Sequence, residues 1–533
     1  MVKCKKLVES GYFPKELPPP FNSRKLGRIL HLLELNSLEL LVKRWQQEDR
    51  ELNKAESKCC SFSIPRTRNI RRMISIPNPL YQIILCHQFE KNWDEIAAFL
   101  SNSYISISLP VLPIKNEKSN RSFDTRSNYE NTEQQIAICS SKYRVMLKTD
   151  IARFYNTIYT HSIPWALHEK EYAKLNRSDS NLCGNVIDKW VRSTKEGQTL
   201  GIPVGPDTSL LISEIICTAV EKEFERILGK KIIGVRFFDD LTLFFNEKAE
   251  ALVALTKLLE SLNKFELEIN PVKTSIEEIP YAPIPEWKST IRHYVFRSNK
   301  NPEIEKILQK NDLLDYFSKT FDYYNKFSDH NVLLYALKAI QRVNIYRENW
   351  ELMESFILKI IIFEGSCIPT ATDIFLEYYV EAYPLNKDVI KDTIIEIITY
   401  NSRYSNDYEI SWALWLLYVI DIKITDDITD KFQNTSNPVI QLMILDLREK
   451  GLINVDVESL NWKQYLDKKH LYDEHWLIAY EAYVKGWLPS SDGNFIDDDP
   501  FFKILKDNGV EFYENKIVVD GDYIDQGWDL RFY

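Results

Sequence analysis

The sequence predicts an α+β region followed by an all-α, repeat-like helical region. Short strand-like runs alternate with helical runs and turn signals upstream of about residue 300. Downstream of the hydrophilic stretch RSNKNPEIEK, nearly every segment has apolar residues at helical spacing. The chain has 533 residues, 44% of them hydrophobic, which suffices for several domains with full cores. We therefore expect a first region at 1–300, with an N-terminal extension at 1–60, and a helical domain at 301–533.

Within the first region, VRFFDDLTLFF at 235–245 predicts two strands joined by a tight hairpin. Asp239 and Asp240 lie at its tip. Two neighbouring carboxylates repel each other unless a cation neutralises them, so the tip is either a solvated turn or a metal site. Acidic runs also occur at Asp426-Asp427 and at Asp497-Asp498-Asp499, and we interpret both as solvated loops.

Three further segments of the first region carry candidate site residues. MLKTDIARFYNTIYTH ends a strand-like run at Asp150, which places another carboxylate at the end of a strand. GIPVGP at 201–206 is a Gly/Pro turn that opens a helix, and glycine allows a ligand to approach the backbone closely. The segment LEINPVKT follows the hairpin. Together with Asp239 and Asp240, these segments favour a metal site over a solvated turn.

A cluster of arginines precedes these segments. PRTRNIRRM contains Arg66, Arg68, Arg71 and Arg72, with no acidic residue at 61–75. Guanidinium groups offer forked donors that match phosphate oxygens, although a solvated charged loop is the alternative. Residues 1–80 hold 16 Lys/Arg and 8 Asp/Glu, whereas the whole chain has a net charge of −10. A surface that binds nucleic acid is therefore expected to be confined to the basic part of the chain.

The second region predicts amphipathic helices that stack in pairs. NVLLYALKAIQRV, DVIKDTIIEIITY and HWLIAYEAYVKGW are examples of the pattern. Stacked helical hairpins would bury such faces, although no strict sequence period is found. The longest apolar run, at about 410–420, is shorter than the roughly 18–20 residues of a membrane span, and no signal peptide opens the chain. We expect a soluble cytoplasmic protein with no membrane partner.

The cysteines and three of the tryptophans are predicted to be packing residues. The eight cysteines are scattered without a C-x-x-C pair, so we interpret them as reduced packing residues and expect no zinc site or disulfide framework from them. Trp165, Trp190 and Trp287 are interpreted as core residues in preference to base-stacking platforms.

The ordered segments resemble the fingers and palm of reverse transcriptases over about residues 60–280. RRMISIP resembles the fingers motif R-x-x-x-I-P, DIARFY the first catalytic motif, GIPVGP the second, FFDD the Y-x-D-D hairpin, and LEINPVKT the L-x-x-N-x-x-K-T segment. The opening GYFPKELPPPF and the helical half are similar to those of the bacterial defence-associated, abortive-infection (AbiK-like) reverse transcriptases. Two residues depart from the motifs. Phe237 replaces the usual Tyr and Val204 replaces a frequent Gln. These departures weaken the prediction of template-directed copying more than the prediction of polymerisation.

Nucleotidyl transfer explains why these residues would be brought together. The reaction needs one cation to activate a 3′-hydroxyl and another to neutralise the leaving pyrophosphate. Mg²⁺ prefers carboxylate oxygens, so we expect two Mg²⁺ ions, with Mn²⁺ as the alternative. Asp150 and Asp239 are expected to bridge the ions, and the resemblance implies that Asp240 supports them. The expected metal-binding residues are Asp150, Ile151, Asp239 and Asp240, of which the three aspartates are also catalytic.

The remaining site residues are expected to hold the nucleotide. Arg72 and Arg66 would hold the triphosphate, and Gly205 and Pro206 would shape the floor under the base pair. The resemblance implies that Lys273 assists the leaving pyrophosphate, and a solvated strand-end lysine is the alternative. Tyr155 is expected to lie beneath the sugar as an aromatic gate, unless Phe154 is the accessible ring of this adjacent pair.

Two classes of function follow from this set. The first is a DNA polymerase of the reverse-transcriptase fold, RNA-directed or template-independent. The second is a structural or regulatory protein that acts through oligomerisation or partner binding after losing most activity. All three carboxylates are present, which favours the enzyme. The resemblance implies a role in stopping phage infection, with these partners: dNTPs, an RNA template or non-coding RNA, a DNA product and further copies of the chain.

Overall fold

In the computed structural model of the protein, the acidic hairpin lies in a four-stranded antiparallel sheet. The structure describes residues 3–48, 56–67, 70–111, 121–126, 129–280, 282–490 and 492–514. Its strands are β1 Cys60–Thr67, β2 Ile70–Ile76, β3 Pro110–Val111, β4 Asp124–Thr125, β5 Val145–Asp150, β6 Gly234–Phe237, β7 Asp240–Phe245, β8 Ser275–Glu278, β9 Ile424–Asp427 and β10 Ile453–Asn454.

The helices of the first region surround this sheet and the β1–β2 hairpin. They are α1 Cys4–Ser10, α2 Arg24–Ile29, α3 Leu35–Glu48, α4 Pro79–Lys91, α5 Trp93–Leu100, α6 Tyr129–Ser140, α7 Phe154–Thr157, α8 Ser162–His168, α9 Lys170–Leu175, α10 Cys183–Ser193, α11 Asp207–Leu228, α12 Lys248–Lys264 and α13 Glu286–Arg292.

The helices that follow form the second region. They are α14 Pro302–Phe327, α15 Asn331–Ile340, α16 Trp350–Phe363, α17 Ile368–Val380, α18 Lys387–Ser402, α19 Asp407–Val419, α20 Pro438–Glu449, α21 Trp476–Val484 and α22 Pro500–Asp507. The predicted fold class is confirmed. The division at residue 300 stays a prediction, and α14 begins just after it because Asn301 caps the helix and Pro302 occupies its first turn.

The sheet has the strand order β6-β7-β5-β8, so the predicted hairpin of β6 and β7 is confirmed and β5 lies beside it. Strand β5 reads Val-Met-Leu-Lys-Thr-Asp, and its Met146 and Leu147 are fully buried. Helix α12 packs against β5 and β7, and α11 packs against α12. The first half of β5 is apolar and buried, and Asp150 is its one acidic residue, at its end.

From α14 to α19, the second region is a stack in which each helix contacts the helix two positions further along the chain. The pairs α14 and α16, α15 and α17, α16 and α18, and α17 and α19 all pack together. This is the arrangement that amphipathic helical hairpins produce when each buries its apolar face against its neighbours. One departure from an all-α region is the short parallel pair of β9 and β10, which forms where the chain is extended after α19 and after α20.

Helix α19 explains the longest apolar run of the sequence. It is buried on nearly every side and contacts α17, α18, α20 and β1, as expected for a helix that is apolar all round. Trp165, Trp190 and Trp287 are at most 9% exposed, which confirms their packing role. Among the described residues, no helix has both the length and the apolar character that crossing a membrane would require.

Both acidic segments differ from the predicted solvated loops. Asp426 and Asp427 are exposed as predicted, but they end strand β9 and do not lie in a loop. Asp499 was expected in a solvated loop, but it is fully buried. Its carboxylate caps α22 by accepting the backbone N–H groups of Phe501 and Phe502, both at 3.0 Å, and also accepts the Tyr472 hydroxyl at 2.9 Å. A carboxylate that receives three hydrogen bonds can be buried, and the Asp-Pro sequence at the helix start was the available signal.

Candidate active site

Three carboxylates meet where two neighbouring strands end. Asp150 is the last residue of β5, Asp240 is the first residue of β7, and the two are directly opposite in the antiparallel ladder. Residues so placed have Cβ atoms about 4.5–5.5 Å apart. Asp239 precedes Asp240 in the turn between β6 and β7. The structure therefore brings together the three acids that were predicted from separate motifs.

The negative charge of this cluster is only partly compensated by nearby cations. Burial raises the pKa of Asp239 to about 7, and the charges of Asp240 and Asp150 add to the rise. Partial burial also raises the pKa of Asp240, whose side chain still reaches solvent, and the charge of Asp150 adds to the rise. The charges of Lys273 and Arg66 oppose it. Carboxylates in this state gain most from a cation. Hard oxygen donors from two strand ends fit Mg²⁺ or Mn²⁺.

Ile151 follows Asp150 and differs in character from the other expected metal-binding residues. Its side chain is buried and hydrocarbon, so only its backbone carbonyl has an oxygen to offer. The chain is fixed on both sides of it, because Asn270 N–H donates to Asp150 O at 2.7 Å and Ala152 N–H donates to Glu268 O at 2.8 Å. The LEINPVKT segment thereby sets the path of the backbone that carries Asp150.

Lys273 contacts the acidic cluster directly. Its ammonium donates to Asp150 Oδ2, and its side chain is half-exposed. Burial lowers the pKa of Lys273, but the hydrogen bond to Asp150 and the charges of Asp240 and Asp239 outweigh that effect and leave the pKa raised. The lysine is therefore a charged group of the site with one side open to solvent.

A buried ion cluster that the motifs did not reveal holds the hairpin. Arg236, in β6, is 1% exposed and donates to both carboxylate oxygens of Glu214, at 3.1 and 2.9 Å, and to Glu221. The same guanidinium donates to Phe238 O at 2.9 Å. Phe238 has a φ of 53°, which is uncommon for an aromatic residue. The cluster thus holds the turn residue that directly precedes Asp239.

The glutamates that pair with Arg236 come from α11, and serines of the segment before β3 complete their hydrogen bonding. Ser108 Oγ accepts the Phe238 N–H at 2.7 Å and donates to Glu214 at 2.7 Å, and Ser103 Oγ donates to Glu221 at 2.6 Å. Buried charges need such complete pairing. The signal in the sequence was the presence of two glutamates, seven residues apart in α11, on either side of the mostly apolar run IICTAV.

The Gly/Pro turn lies between the β1–β2 hairpin and α7. Ser75 N–H donates to Val204 O at 2.8 Å. Gly205 has a φ of 130°, and a Cβ there would lie 2.6 Å from Pro14 Cγ, so a larger residue would be strained and crowded. Pro206 is buried and directly precedes α11. The turn is therefore held in place by its contacts with β2 and Pro14.

Of the two adjacent aromatic residues in α7, Tyr155 is the accessible one. Phe154 is 3% exposed in the core, whereas Tyr155 is half-buried. Tyr155 O accepts the Ile202 N–H at 2.9 Å, and its hydroxyl lies 3.5 Å from Ser213 Oγ. Burial raises the pKa of Tyr155, and the nearby charge of Asp239 adds to the rise. Tyr155 is therefore close to both the Gly/Pro turn and the acidic cluster.

The arginine cluster divides into two groups. Arg71 makes a paired hydrogen bond to Glu409 of α19, at 2.5 and 2.8 Å, and so joins the β1–β2 hairpin to the second region. Arg66 and Arg72 are exposed. Arg72 is one residue along β2 from Arg71, so the pleat directs it to the other face. Arg66 is near enough to lower the pKa of Asp240. Arg68 lies outside the described residues.

Comparison with known proteins agrees with this geometry. Residues 64–295 match the family model of "Reverse transcriptase (RNA-dependent DNA polymerase)". The chain therefore contains a reverse-transcriptase nucleotidyltransferase domain. All the site residues predicted from the sequence lie within the matched segment. No curated protein matches the sequence.

Two telomerases are among the solved structures that are similar to the chain. The telomerase from Candida albicans, solved with a fragment of telomeric RNA, is 12% identical with a TM-score of 0.28; the match covers 64% of this chain and 66% of that one, just under two thirds of its length. The apo telomerase from Candida tropicalis is 14% identical with a TM-score of 0.30, over 78% of this chain and 72% of that one.

Proposed function

We propose that this protein polymerises deoxynucleotides by a two-metal mechanism, either RNA-directed or without a template. The observation that supports this most strongly is the meeting of Asp150 with Asp240 across two strands, with Asp239 in the adjoining turn. When bound, Mg²⁺ ions would activate the primer hydroxyl and neutralise charge on the leaving pyrophosphate. The three aspartates, with the Ile151 carbonyl, would hold them there.

The cations of the site would act on the triphosphate. Lys273 is half-exposed beside Asp150, where it can donate to phosphate oxygens and stabilise the leaving pyrophosphate. The exposed Arg66 and Arg72 would bind the incoming triphosphate from the β1–β2 hairpin. Arg71 has no such role, because Glu409 already occupies its guanidinium.

The sugar and base of the nucleotide would contact Tyr155 and the Gly/Pro turn. Gly205 and Pro206 form a fixed turn on which the base pair would lie. The Tyr155 ring, beside this turn and Asp239, would pack against a deoxyribose and collide with a 2′-hydroxyl. We therefore propose that the enzyme selects dNTPs over rNTPs.

The biological role that we propose is defence against phage in the bacterial cytoplasm. It rests on the sequence resemblance to the abortive-infection group, in GYFPKELPPPF and the helical half. The proposed partners are an RNA template or non-coding RNA, the DNA product and further copies of the chain. The stacked helices of α14–α22 offer the surface for such copies or for the product strand.

Synthesis of labelled product tests the proposed chemistry. The full chain would be incubated with Mg²⁺ and labelled dNTPs, with and without RNA template and primer, beside the variant Asp239→Ala. The proposal expects product from the native chain and none from the variant. Equal product from both would contradict it. Absence of product from the native chain under all template, primer and partner conditions would instead favour a scaffold that acts through oligomerisation or partner binding.

A further inference from the structure

A loop far along the chain from the aspartates gathers two histidines and an aspartate. His470, Asp473 and His475 lie between Leu466 and the start of α21. One donor atom from each lies within 4.8 Å of the others. His470 Nε2 is 3.7 Å from Asp473 Oδ2, and His475 Nδ1 is 3.5 Å from Asp473 Oδ1.

The two distances involve different oxygens of Asp473 and are slightly longer than those between ligands of one tetrahedral ion, so a bound ion would draw the three side chains a little closer together. Zinc binds imidazole nitrogen at about 2.0–2.1 Å and carboxylate oxygen at about 2.0–2.2 Å, which separates neighbouring ligand atoms by roughly 3.3–3.5 Å in a tetrahedron. Two imidazoles and one carboxylate are also a donor set that zinc prefers over Mg²⁺, which takes oxygen ligands.

The surroundings orient the histidines as ligands. His470 Nδ1 lies 2.8 Å from Asp467 Oδ1, so a proton on Nδ1 would be donated to Asp467 and the lone pair of Nε2 would face Asp473. A carboxylate behind a histidine is the common second layer of zinc sites. The Tyr465 ring stacks on His475 with centroids 4.0 Å apart. His475 Nδ1 is buried and has no hydrogen-bond partner among the described residues, as expected for a nitrogen that binds an ion.

A second cluster of similar composition lacks these properties. Glu95, His168 and Cys183 also bring three donor atoms together. However, His168 Nε2 already accepts the Gly184 N–H at 3.0 Å, and burial raises the pKa of the Cys183 thiol, which disfavours the thiolate that metals need. This cluster provides a matched control.

We propose that His470, Asp473 and His475 bind one Zn²⁺ ion, with a fourth position for water. The ion would stabilise the loop that attaches the second region to β2 and to the residues that flank the β1–β2 hairpin. Lys58 N–H donates to Tyr472 O at 3.0 Å, Asn78 Nδ2 donates to Leu471 O at 2.8 Å, and Trp476 Nε1 donates to Ile76 O at 3.2 Å. All three contacts come from the loop or the residue that follows it.

Zinc stoichiometry tests this proposal in the full chain. The protein would be stripped with chelator, equilibrated with Zn²⁺ in excess Mg²⁺, and its bound zinc measured by mass spectrometry. We expect one equivalent in the native chain, in His168→Ala and in Asp239→Asn, and none in His470→Ala or His475→Ala. Asp467→Asn should weaken zinc binding about 10- to 100-fold without abolishing it. Circular dichroism of each variant would verify that the fold is retained.

Two further measurements test the site even if a histidine variant unfolds. Co²⁺ in place of zinc should give the intense visible spectrum of a tetrahedral site in the native chain. Zn²⁺ should also raise the Tm of the native chain but not that of the folded Asp473→Asn variant. A native chain that binds no zinc, or zinc that is lost from Asp239→Asn and retained in His475→Ala, would overturn the proposal.

Discussion

Asp239-Asp240 and Asp426-Asp427 are both paired acids at the end of a strand, yet their surroundings differ. Asp427 is exposed, and its Oδ1 accepts the backbone N–H of Thr429 at 2.9 Å and the Thr429 hydroxyl at 2.5 Å. These hydrogen bonds lower the pKa of Asp427. Burial and neighbouring carboxylates raise the pKa of Asp239 to about 7 instead.

The difference shows what makes an acidic pair a candidate metal site. A pair with local donors is already stabilised by its own chain, so a cation adds little. A pair that faces a third carboxylate across a ladder lacks that stabilisation, and a cation supplies it.

The largest expected effect is on catalysis. Asp239→Asn should reduce the rate of dNTP incorporation at least about a thousandfold, because stabilisation by a metal ion is worth several kcal/mol in the transition state. Asp426→Asn should leave the rate within about twofold, since Asp426 is exposed at the other pair. Single-turnover kinetics of both variants would check this. Equal losses would mean that the hairpin has no special role.

The next effect is on stability. Arg236→Met should lower the free energy of unfolding by about 3–5 kcal/mol, because Glu214 and Glu221 would remain as buried charges without their partner. Lys503→Ala should change it little, since the pair of Lys503 with Asp507 is on the surface. Urea unfolding would measure both. Restoration of stability in Arg236→Met combined with Glu214→Gln and Glu221→Gln would attribute the loss to uncompensated charge.

The neighbouring arginines should separate substrate binding from structure. Arg72→Ala should raise the KM for dNTP about 10- to 100-fold, since a charge-assisted hydrogen bond is worth roughly 1.5–3 kcal/mol. Arg71→Ala should instead lower the Tm, because it leaves the buried Glu409 carboxylate without its partner. Steady-state kinetics and thermal melting of each variant would reveal the contrast. An Arg72→Ala enzyme with unchanged KM would place that side chain outside the nucleotide site.

The smallest expected effect is on sugar selection. Tyr155→Ala should reduce the preference for dNTPs over rNTPs, which we expect to be about 10- to 100-fold because overpacking typically costs 1–3 kcal/mol. Phe154→Leu should keep the preference, since Phe154 is a core residue. Competition between labelled dNTPs and rNTPs would measure both variants. A shift in preference confined to Phe154→Leu would assign the gate to the adjacent ring.

The sequence was sufficient to predict the hairpin and the helical half because both depend on local pattern. Alternating apolar residues around two acids allow few structures other than β6 and β7. Apolar residues at helical spacing predicted the helices that stack from α14 to α19. The order of the motifs placed Asp150 near Asp239, since reverse-transcriptase domains share that order.

Other features depend on partners that are distant in sequence. Nothing local distinguished Arg71, which pairs with Glu409, from Arg72, which is exposed on the neighbouring position. The burial of Asp499 depends on Tyr472, which lies 27 residues earlier. The support of the turn by Arg236 requires α11 to lie beside the hairpin. Such contacts are determined by packing, which periodicity does not report.

We propose that Asp150, Asp239 and Asp240 form a site for divalent cations, unlike Asp426 and Asp427. Binding of Mn²⁺, measured by electron paramagnetic resonance on the full chain, tests this without requiring a template or primer. We predict that Asp239→Asn loses tight Mn²⁺ binding that the native chain and Asp426→Asn both retain. The same Mn²⁺ binding in all three proteins, or its loss from Asp426→Asn alone, would contradict the claim.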